Sequence, residues 1–328
     1  MSQLIRWGIL GTGRIAHKFA SDLLLVPGAS LVAVGSRTQE AADGFAATYA
    51  IPNSHGSYEA LAADPEVDVI YISTPHVLHY ENTMLCLQQR KAVLCEKPFA
   101  MNRQQVTAMI ALARQQEVFL MEALWTKFLP HYQQLQELLA AGTIGEVSCV
   151  QANFGFRPAG TAPSRLTDPA LGGGTLLDIG IYNIFLVLGV LGKPDGITAA
   201  ITPAANGIDE QCIASFTYSN GAMAQLYSTF SATIPIEAHI FGSKGNIKLT
   251  NRFNEPSSRL LLSKDGIHYE ELPVAALPGW GYRYEAAHVT ACLQQGIKES
   301  PVMTWEDSLL LIEMLDKIRE ITGLQYNK

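Results

Sequence analysis

Short apolar runs alternate with amphipathic stretches through the first third of the chain, and this alternation constrains the fold more than any other feature. Aliphatic and β-branched residues predict five strands, at 5–10, 30–35, 69–73, 92–95 and 118–121. Helical periodicity between them predicts helices at 14–25, 39–50 and 103–116. Because a crossover helix returns the chain to the same side of a sheet, we expect an α/β fold with a doubly wound parallel sheet over residues 1–122.

After residue 122 the pattern changes to strand-like runs joined by tight turns. A predicted helix at 130–141 precedes six predicted strands, at 146–156, 197–202, 211–218, 222–231, 238–241 and 246–250. Asn220-Gly221 and Lys244-Gly245 are typical of hairpin turns. Two helices, at 284–294 and 305–321, close the chain. The sequence therefore predicts a second, α+β domain over residues 123–328, with a large and mostly antiparallel sheet.

Composition excludes several classes of function. The chain has 23 Lys and Arg against 30 Asp and Glu, a net charge of −7, which argues against binding to nucleic acid. The longest strongly apolar run, 184–191, is far shorter than the ~20 residues that span a membrane. Five cysteines without a C-x-x-C pair indicate neither a disulfide framework nor a thiolate zinc site. Since the first six residues lack a charged leader, we expect a cytoplasmic protein with no membrane partner.

A glycine-rich turn, G-T-G-R-I-A at 11–16, follows the first predicted strand and opens the first predicted helix. Gly11 permits a tight turn, and Gly13 lets a pyrophosphate approach the backbone. The helix start adds N–H donors, including those of Arg14 and Ile15. A merely flexible turn is the alternative, but the strand–turn–helix context favours dinucleotide binding.

The end of the second predicted strand indicates which dinucleotide binds. Many NAD-binding proteins place an acid there, whereas this chain has Ser36 and Arg37. Arg37 can hold a 2′-phosphate through charge-assisted hydrogen bonds, and an acid would repel it. The sequence therefore predicts NADP as cofactor, with NAD as the second choice. In the alternative interpretation Arg37 is solvated and Glu40 reaches back to the ribose.

The run L-C-E-K-P-F at 94–99, taken with the glycine turn and Thr74-Pro75, resembles the Gfo/Idh/MocA oxidoreductases. The runs M-E-A-L-W-T-K-F at 121–128 and G-G-G-T-L-L-D-I-G-I-Y at 172–182 are similar to its dimeric dihydrodiol dehydrogenase and NADP-dependent D-xylose dehydrogenase branch. The resemblance covers nearly the whole chain. It implies a Rossmann domain, a second domain whose open sheet makes a homodimer or higher homo-oligomer, and hydride transfer between NADP and a sugar or vicinal diol.

The resemblance implies that Lys97 and Tyr182 handle the proton. Tyr182 is the predicted acceptor of the hydroxyl proton, although a free phenol titrates near ~10. A cation about 4 Å away is worth ~4 kcal/mol at an effective dielectric of ~20, so Lys97 beside Tyr182 would favour the phenolate. A Tyr at 182, where inositol dehydrogenases carry His, weakens an inositol assignment.

Asp178 lies four residues before Tyr182, so on a helix the two side chains share a face. Its carboxylate binds a substrate hydroxyl or tunes Lys97 in one interpretation, and caps the helix in the other. Gly174 is expected to admit substrate close to the backbone.

Aromatic and histidine residues complete the predicted site. Trp125 and Phe154 match pocket-lining positions of the dihydrodiol dehydrogenase branch, and either residue could instead be core. His76 and His79 have a metal-like spacing, but no third ligand is near and no metal is expected. Further cofactor contacts are predicted at the carboxyl edge of the sheet, from Thr74, Pro75, His76, His79, Glu96 and Lys97.

Two alternative functions remain open. The same residues could serve an NADPH-dependent reductase of dicarbonyls or keto-sugars, with a carbonyl substrate in place of a polyol or sugar. A more distant alternative is a non-catalytic, NADP-binding redox sensor.

Overall fold

The computed structural model describes residues 3–159, 165–275 and 278–326. Its helices are α1 (Arg14–Leu23), α2 (Gln39–Tyr49), α3 (Tyr58–Ala63), α4 (His79–Gln88), α5 (Arg103–Gln116), α6 (Pro130–Ala140), α7 (Ile181–Leu191), α8 (Tyr282–Gln294) and α9 (Trp305–Thr322). Its strands are β1 (Ile5–Leu10), β2 (Ala29–Gly35), β3 (Asn53–His55), β4 (Val69–Ile72), β5 (Ala92–Glu96), β6 (Leu120–Ala123), β7 (Val147–Gly155), β8 (Gly196–Pro203), β9 (Asp209–Thr217), β10 (Met223–Thr229), β11 (Glu237–Gly242), β12 (Gly245–Thr250), β13 (Arg259–Ser263) and β14 (Glu270–Leu272).

The first sheet is parallel throughout, with strand order β3-β2-β1-β4-β5-β6. Its central strands are nearly continuously buried and mostly apolar, because helices cover both faces of a doubly wound sheet. In the register, Leu10 lies opposite both Gly35 and Ile72, and Ile72 lies opposite Cys95. The carboxyl ends of these strands therefore form one edge, and the predicted doubly wound sheet is confirmed.

The second sheet has eight strands in the order β14-β13-β12-β11-β7-β10-β9-β8. Every pair is antiparallel except β7 with β10. In β7 the side chains of Val150, Ala152 and Phe154 are buried and the residues between them are exposed, so one face packs against helix α7 and the other does not. This confirms the predicted large, mostly antiparallel sheet.

Several short elements were not predicted. Strands β3 and β14 have only three residues each, too few for an alternating pattern to be visible. Helix α4 was missed because its buried face is largely polar, with His79, Asn82 and Thr83 turned inward. Strand β13 and the short helix α3 were also absent from the prediction.

The chain divides into two compact units, Met1–Phe128 with Leu277–Leu309, and Leu129–Ala276 with Leu310–Lys328. These units do not follow the predicted boundary between residues 122 and 123. In the first unit, Trp7 Nε1 on β1 donates to Thr290 Oγ1 on α8 (3.3 Å). Long-range contacts of this kind join α8 to the parallel sheet, and no local sequence pattern reports them.

One stretch among the described residues, Pro169–Leu191, is long and apolar enough to cross a membrane by length and composition. It exceeds the apolar run at 184–191 because the residues before α7 are apolar as well. Of the window that passes the test, 78% is buried within the protein. A core helix passes the same test, so this stretch is weak evidence for a membrane span.

Asp22 caps α8 from a distance, and we expect its removal to destabilise the first unit. Its buried carboxylate accepts from the N–H groups of Trp280 (2.8 Å) and Arg283 (3.1 Å) at the helix start. Since loss of a helix cap costs about 1–2 kcal/mol, Asp22→Ala should lower the free energy of unfolding by that amount in urea denaturation. Asp22→Asn, which keeps one acceptor, should lose less. An alanine variant with the wild-type midpoint would contradict this role.

Candidate active site

The glycine turn joins β1 to α1 and leaves the helix start uncapped. Gly11 has φ +100°, which L side chains rarely adopt, and its N–H donates to Gly35 O (2.9 Å). Gly13 is the N-cap of α1, and no described atom lies within 4 Å of the position its Cβ would take. The first turn has neither a side-chain cap nor an acidic residue, so the first N–H groups, including those of Arg14 and Ile15, have no intrahelical acceptor.

The end of β2 places a hydroxyl and a guanidinium after the sheet. Ser36 is buried, and its Oγ lies 3.3 Å from Thr12 Oγ1 in the glycine turn. Arg37 is exposed and makes no hydrogen bond or ion pair to another described residue. Glu40 lies in the first turn of α2 and is also exposed. The helix is capped instead by the Thr38 side chain, so Arg37 is not needed for that cap, and its charge acts on Tyr58.

His79 ties together two loops at the carboxyl edge of the sheet. Its ring is fully buried, with Nδ1 2.7 Å from Pro98 O and Nε2 2.8 Å from Thr74 O. Both oxygens are acceptors, so a ring nitrogen of His79 that carries a proton donates to one of them. Thr74 Oγ1 also accepts from Asn82 Nδ2 (3.0 Å). The structure gives His79 this loop-holding contact, and its contact with the cofactor stays a prediction.

The residues next to His79 form a short turn. Pro75 precedes the 3₁₀ turn His76–Leu78, and the rings of His76 and His79 are 5.8 Å apart, edge to face. Across residues 3–159, 165–275 and 278–326, no group of three His, Cys, Asp or Glu side chains is arranged to hold a metal. The cofactor contacts of Pro75 and His76 stay predictions.

Glu96 fixes the backbone at Lys97. Glu96 ends β5, where its Oε1 accepts from Tyr71 OH (2.5 Å) and its Oε2 accepts from Lys97 N–H (3.3 Å). Tyr71 is buried and stacks on Phe19 with ring centroids 3.6 Å apart. Burial, and then the charge of Glu96, raise the pKa of Tyr71, so the phenol stays protonated and donates. Lys97 is half-buried directly after the strand, at the carboxyl edge.

Glu122, which the sequence analysis did not identify, holds the next turn from β6. Its side chain is buried, and its Oε1 accepts from Phe99 N–H (3.0 Å). The Lys97–Pro98 peptide between the two carboxylate-bound amides is cis. The sequence did contain a signal for Glu122, because it is an acid near the end of β6. In the register β6 lies beside β5, with Ala123 opposite Glu96.

Trp125 lies in the first unit, in the 3₁₀ turn Trp125–Phe128 after β6. Its ring stacks on Tyr282 of α8, with centroids 4.6 Å apart and planes at 13°. The indole is 8% exposed, so one of its faces is covered by protein. Its predicted role as a pocket wall stays a prediction.

Tyr182 and Phe154 come together in the second unit. Tyr182 is in the first turn of α7 and is 6% exposed, and its ring centroid lies 5.8 Å from that of Phe154 on β7. Phe154 also contacts the rings of Phe156 and Phe253, each at 6.3 Å. The predicted proton acceptor is therefore set in an aromatic cluster, which favours a substrate with an apolar face.

Asp178 lies just before α7, in a single turn of π-helix at Leu176–Gly180. Its carboxylate forms an ion pair with Arg165 Nη1 (2.9 Å) and is largely buried. The N–H of Leu176 is bound by Asp209 (2.6 Å) rather than by Asp178.

The space beside Gly174 is not open to substrate. Gly174 has φ +130°, and a Cβ there would overlap Asp209 Oδ1. The absent side chain makes room for a buried carboxylate, so the expectation that Gly174 admits substrate is corrected.

Each unit collects part of the predicted site. The first holds the glycine turn, Ser36, Arg37, the Thr74–His79 loop, Glu96, Lys97 and Trp125. The second holds Phe154, Asp178 and Tyr182.

Comparison with known proteins gives one family match in the N-terminal part of the chain and a second in the part that follows. The Gfo/Idh/MocA model described as an oxidoreductase family with an NAD-binding Rossmann fold matches residues 5–124, and the Gfo/Idh/MocA C-terminal domain model matches residues 132–248. Trans-1,2-dihydrobenzene-1,2-diol dehydrogenase from Xenopus laevis is 40% identical over 98% of this chain and 99% of the relative. The chain belongs to the Gfo/Idh/MocA oxidoreductase family. The Homo sapiens protein of the same name is 36% identical, over 98% of both chains.

Solved structures agree on the fold of this family member. A 3-ketoreductase from Actinomadura kijaniata, in complex with NADP and TDP-benzene, has a TM-score of 0.86 at 27% identity, over 97% of this chain and 98% of the other. The aldose-aldose oxidoreductase from Caulobacter crescentus has a TM-score of 0.89 at 23% identity, over 98% of both chains, which shows the fold alone.

The predicted family and enzyme class are confirmed: this is an NAD(P)-dependent dehydrogenase with a nicotinamide cofactor. The uncapped start of α1, without acidic residues, and the open space beside Gly13 fit a pyrophosphate.

Glu122 gives a test of this site by pH. Burial raises the pKa of Glu122 from 4.5 to about 7, so the folded protein binds this proton more tightly than the unfolded chain does. The stability that the folded protein gains from binding this proton is fully present below about pH 4.5. It is lost as pH rises through about 7. Glu122→Gln keeps an acceptor for Phe99 but does not titrate. Between pH 5 and 8.5 the wild type should lose about 2–3 kcal/mol more unfolding free energy than this variant.

Urea denaturation at both pH values measures this difference. The exposed Glu117→Gln serves as the control and should follow the wild type. Parallel pH dependence in the wild type and Glu122→Gln would show that Glu122 is ionised across the whole range.

Proposed function

We propose that this protein is an NADP-dependent dehydrogenase that oxidises a hydroxyl group of a vicinal trans-diol or an aldose. The observation that carries this function is the 40% identity, over 98% of the chain, to a trans-1,2-dihydrobenzene-1,2-diol dehydrogenase. The aromatic neighbourhood of Tyr182 supports it, because a flat apolar wall suits a cyclic diol or the C–H face of a sugar.

NADP is the proposed cofactor. The backbone at Gly11, Gly13, Arg14 and Ile15 holds the pyrophosphate, and Ser36 and Arg37 hold the 2′-phosphate. The exposed guanidinium of Arg37, unpaired within the described chain, supports this choice over NAD. So does the NADP complex of the 27% identical 3-ketoreductase. Thr74, Pro75, His76, His79, Glu96 and Lys97 form the side of the cofactor site at the carboxyl edge.

Lys97, Tyr182 and Asp178 carry the proposed proton chemistry. When bound, the cofactor accepts a hydride from the carbon that bears the hydroxyl. Tyr182 takes the hydroxyl proton, and Lys97 stabilises both the phenolate and the negative charge that develops on the substrate oxygen. Asp178, paired with Arg165, accepts a hydrogen bond from a second substrate hydroxyl. Trp125 and Phe154 orient the ring through apolar contact.

We place the protein in the cytoplasm, as a homodimer or higher homo-oligomer. The outward face of the second sheet supports self-association, because it exposes large apolar residues on adjacent strands. Ile213 on β9 is 42% exposed and Met223 on β10 is 52% exposed. Ile213 lies opposite Tyr227 and Met223 opposite Thr217 on the same face of the sheet, where a second copy of the chain would bury them.

Reduction of a carbonyl is the second candidate. The 27% identical neighbour is named a 3-ketoreductase, and the same residues deliver a proton when the reaction runs in reverse. Oxidation of NADPH by keto-sugars or dicarbonyls, without reduction of NADP by any polyol, would favour this direction.

The first test is a spectrophotometric assay at 340 nm with NADP and with NAD. Substrates are a trans-dihydrodiol, xylose, glucose and inositol. We expect reduction of NADP by the dihydrodiol or by xylose, and a fall in kcat of at least about 100-fold in Lys97→Ala and Tyr182→Phe, since each removes a proton-transfer group. The exposed Lys193→Ala is the matched control.

Normal turnover in Lys97→Ala would exclude the proposed chemistry. Tight binding of NADPH without turnover in any assay would favour the redox sensor.

Arg37 gives a separate test of cofactor choice. Because a hydrogen bond to a charged group contributes about 1.5–3 kcal/mol, Arg37→Ala should raise the KM for NADP by about 10- to 100-fold. The KM for NAD should change little, since NAD has no 2′-phosphate. Arg259→Ala, another exposed arginine, is the control. Equal effects on the two cofactors would show that Arg37 does not select between them.

A further inference from the structure

A buried carboxylate, Asp209, lies against the segment that carries Asp178 and leads into Tyr182. Asp209 begins β9 and is fully buried. Its Oδ2 accepts from Thr175 Oγ1 (2.7 Å) and from Leu176 N–H (2.6 Å). These donors lie at the start of the π-helical turn, so the carboxylate supplies the acceptor that a helix start requires.

The other oxygen of Asp209 is held from the C-terminal region of the chain. Oδ1 accepts from Tyr326 OH (3.2 Å), and the Tyr326 ring lies 4.8 Å from the guanidinium of Arg319 on α9. Gly174 leaves the room that this oxygen occupies. Three segments distant in sequence, namely the turn before α7, strand β9 and the stretch after α9, therefore meet at one carboxylate.

The turn is also held by apolar burial of Leu176, Leu177 and Ile179 and by further side-chain contacts. Thr175 is its N-cap residue but makes no capping hydrogen bond to the turn. Ser228 Oγ on β10 donates to Thr175 Oγ1 (3.3 Å), and Asp178 within the turn is paired with Arg165 (2.9 Å). A π-helical turn leaves backbone groups less regularly paired than an α-helix and is frequent at functional sites. Asp209 is the acceptor for the backbone N–H of Leu176 at the start of this turn, so it helps to set the position of Asp178 and the start of the helix that carries Tyr182.

We propose that Asp209 is a positioning residue for Asp178 and Tyr182, and that Tyr326 holds the Asp209 carboxylate in the required orientation. This role deepens the proposed function and rests on it as far as catalysis is concerned. Asp209 acts through the backbone of the π-helical turn.

The charges around Asp209 are consistent with this role. Burial raises the pKa of Asp209 to about 6, while hydrogen bonds from Thr175 and Leu176 oppose the rise. The carboxylate is thus ionised at neutral pH and accepts from all three donors. Burial, and then the charge of Asp209, raise the pKa of Tyr326 well above its ordinary value, although the Arg319 charge opposes this. The Tyr326 phenol therefore remains the donor.

Three variants separate positioning from mere stability. Asp209→Ala removes both acceptor oxygens, and Asp209→Asn keeps the shape and one acceptor oxygen for Thr175 and Leu176. Tyr326→Phe removes only the hydroxyl. Tyr227→Phe is the matched control, because it also removes one phenol hydrogen bond in the same unit, to Gln211 Oε1 (2.6 Å).

The measurements are kcat and KM with the substrate found above, the pH dependence of kcat/KM, the melting temperature, and amide hydrogen exchange of residues 175–182. A displacement of about 1 Å costs on the order of 100-fold in rate. We therefore expect kcat to fall about 10- to 100-fold in Asp209→Ala and about 3- to 10-fold in Tyr326→Phe. The KM for NADP should stay unchanged, and the pKa that governs kcat/KM should shift. Asp209→Asn should restore most of kcat, and Tyr227→Phe should behave as wild type.

Amide exchange keeps this role testable if the proposed function fails. Exchange at 175–182 should rise in Asp209→Ala and Tyr326→Phe even in a protein with no detected turnover. Lower melting temperatures without any change in exchange, kcat or pH profile would overturn the positioning role. Equal losses in Asp209→Asn and Asp209→Ala would overturn it as well.

Discussion

The common edge formed by the carboxyl ends of the parallel strands is the constraint on which the first unit depends. Register puts the end of β1 level with the ends of β2 and β4, and Ile72 level with Cys95 on β5. Loops that leave these strands must therefore begin side by side, however far apart they are in sequence. The glycine turn, Ser36, Thr74 and Lys97 are collected at that edge by backbone hydrogen bonding alone.

Carboxyl groups then hold the turns that this edge exposes. Loops at a ligand-binding edge have backbone N–H groups without strand partners, and such groups need acceptors. Glu96 accepts from the amide of Lys97, and Glu122 accepts from that of Phe99. Asp209 does the same for Leu176 in the second unit. The desolvation of these acids has a cost, which appears in the raised pKa values of Glu122 and Asp209.

The features that could be predicted from the sequence are those that depend on a local residue pattern or a short motif. Both sheets follow from residue periodicity, and the Glu96-Lys97-Pro98 run led to the correct family. What the sequence did not predict depends on contacts between distant residues: the addition of α8 to the first unit through Thr290, and the carboxylate behind Gly174. From the sequence, a glycine such as Gly174 indicates only that no side chain is present. It does not indicate whether substrate or another part of the protein fills the space. Helix α4 was hidden because three of its five buried residues, His79, Asn82 and Thr83, are polar and give no apolar periodicity.

The two acids of the second unit show how environment divides roles between like side chains. Asp178 faces a cation, Arg165, which compensates its charge. The donors that the structure describes around Asp209, among them Thr175, Leu176 and Tyr326, are neutral, so they use its lone pairs but do not cancel its charge. The lone pairs of Asp209 are occupied by donors of the protein, so we do not expect it to bind substrate. It can instead fix the position of Asp178, the acid that we propose binds substrate. The spacing of acids in the sequence does not reveal this division, because it arises from what the fold brings against each carboxylate.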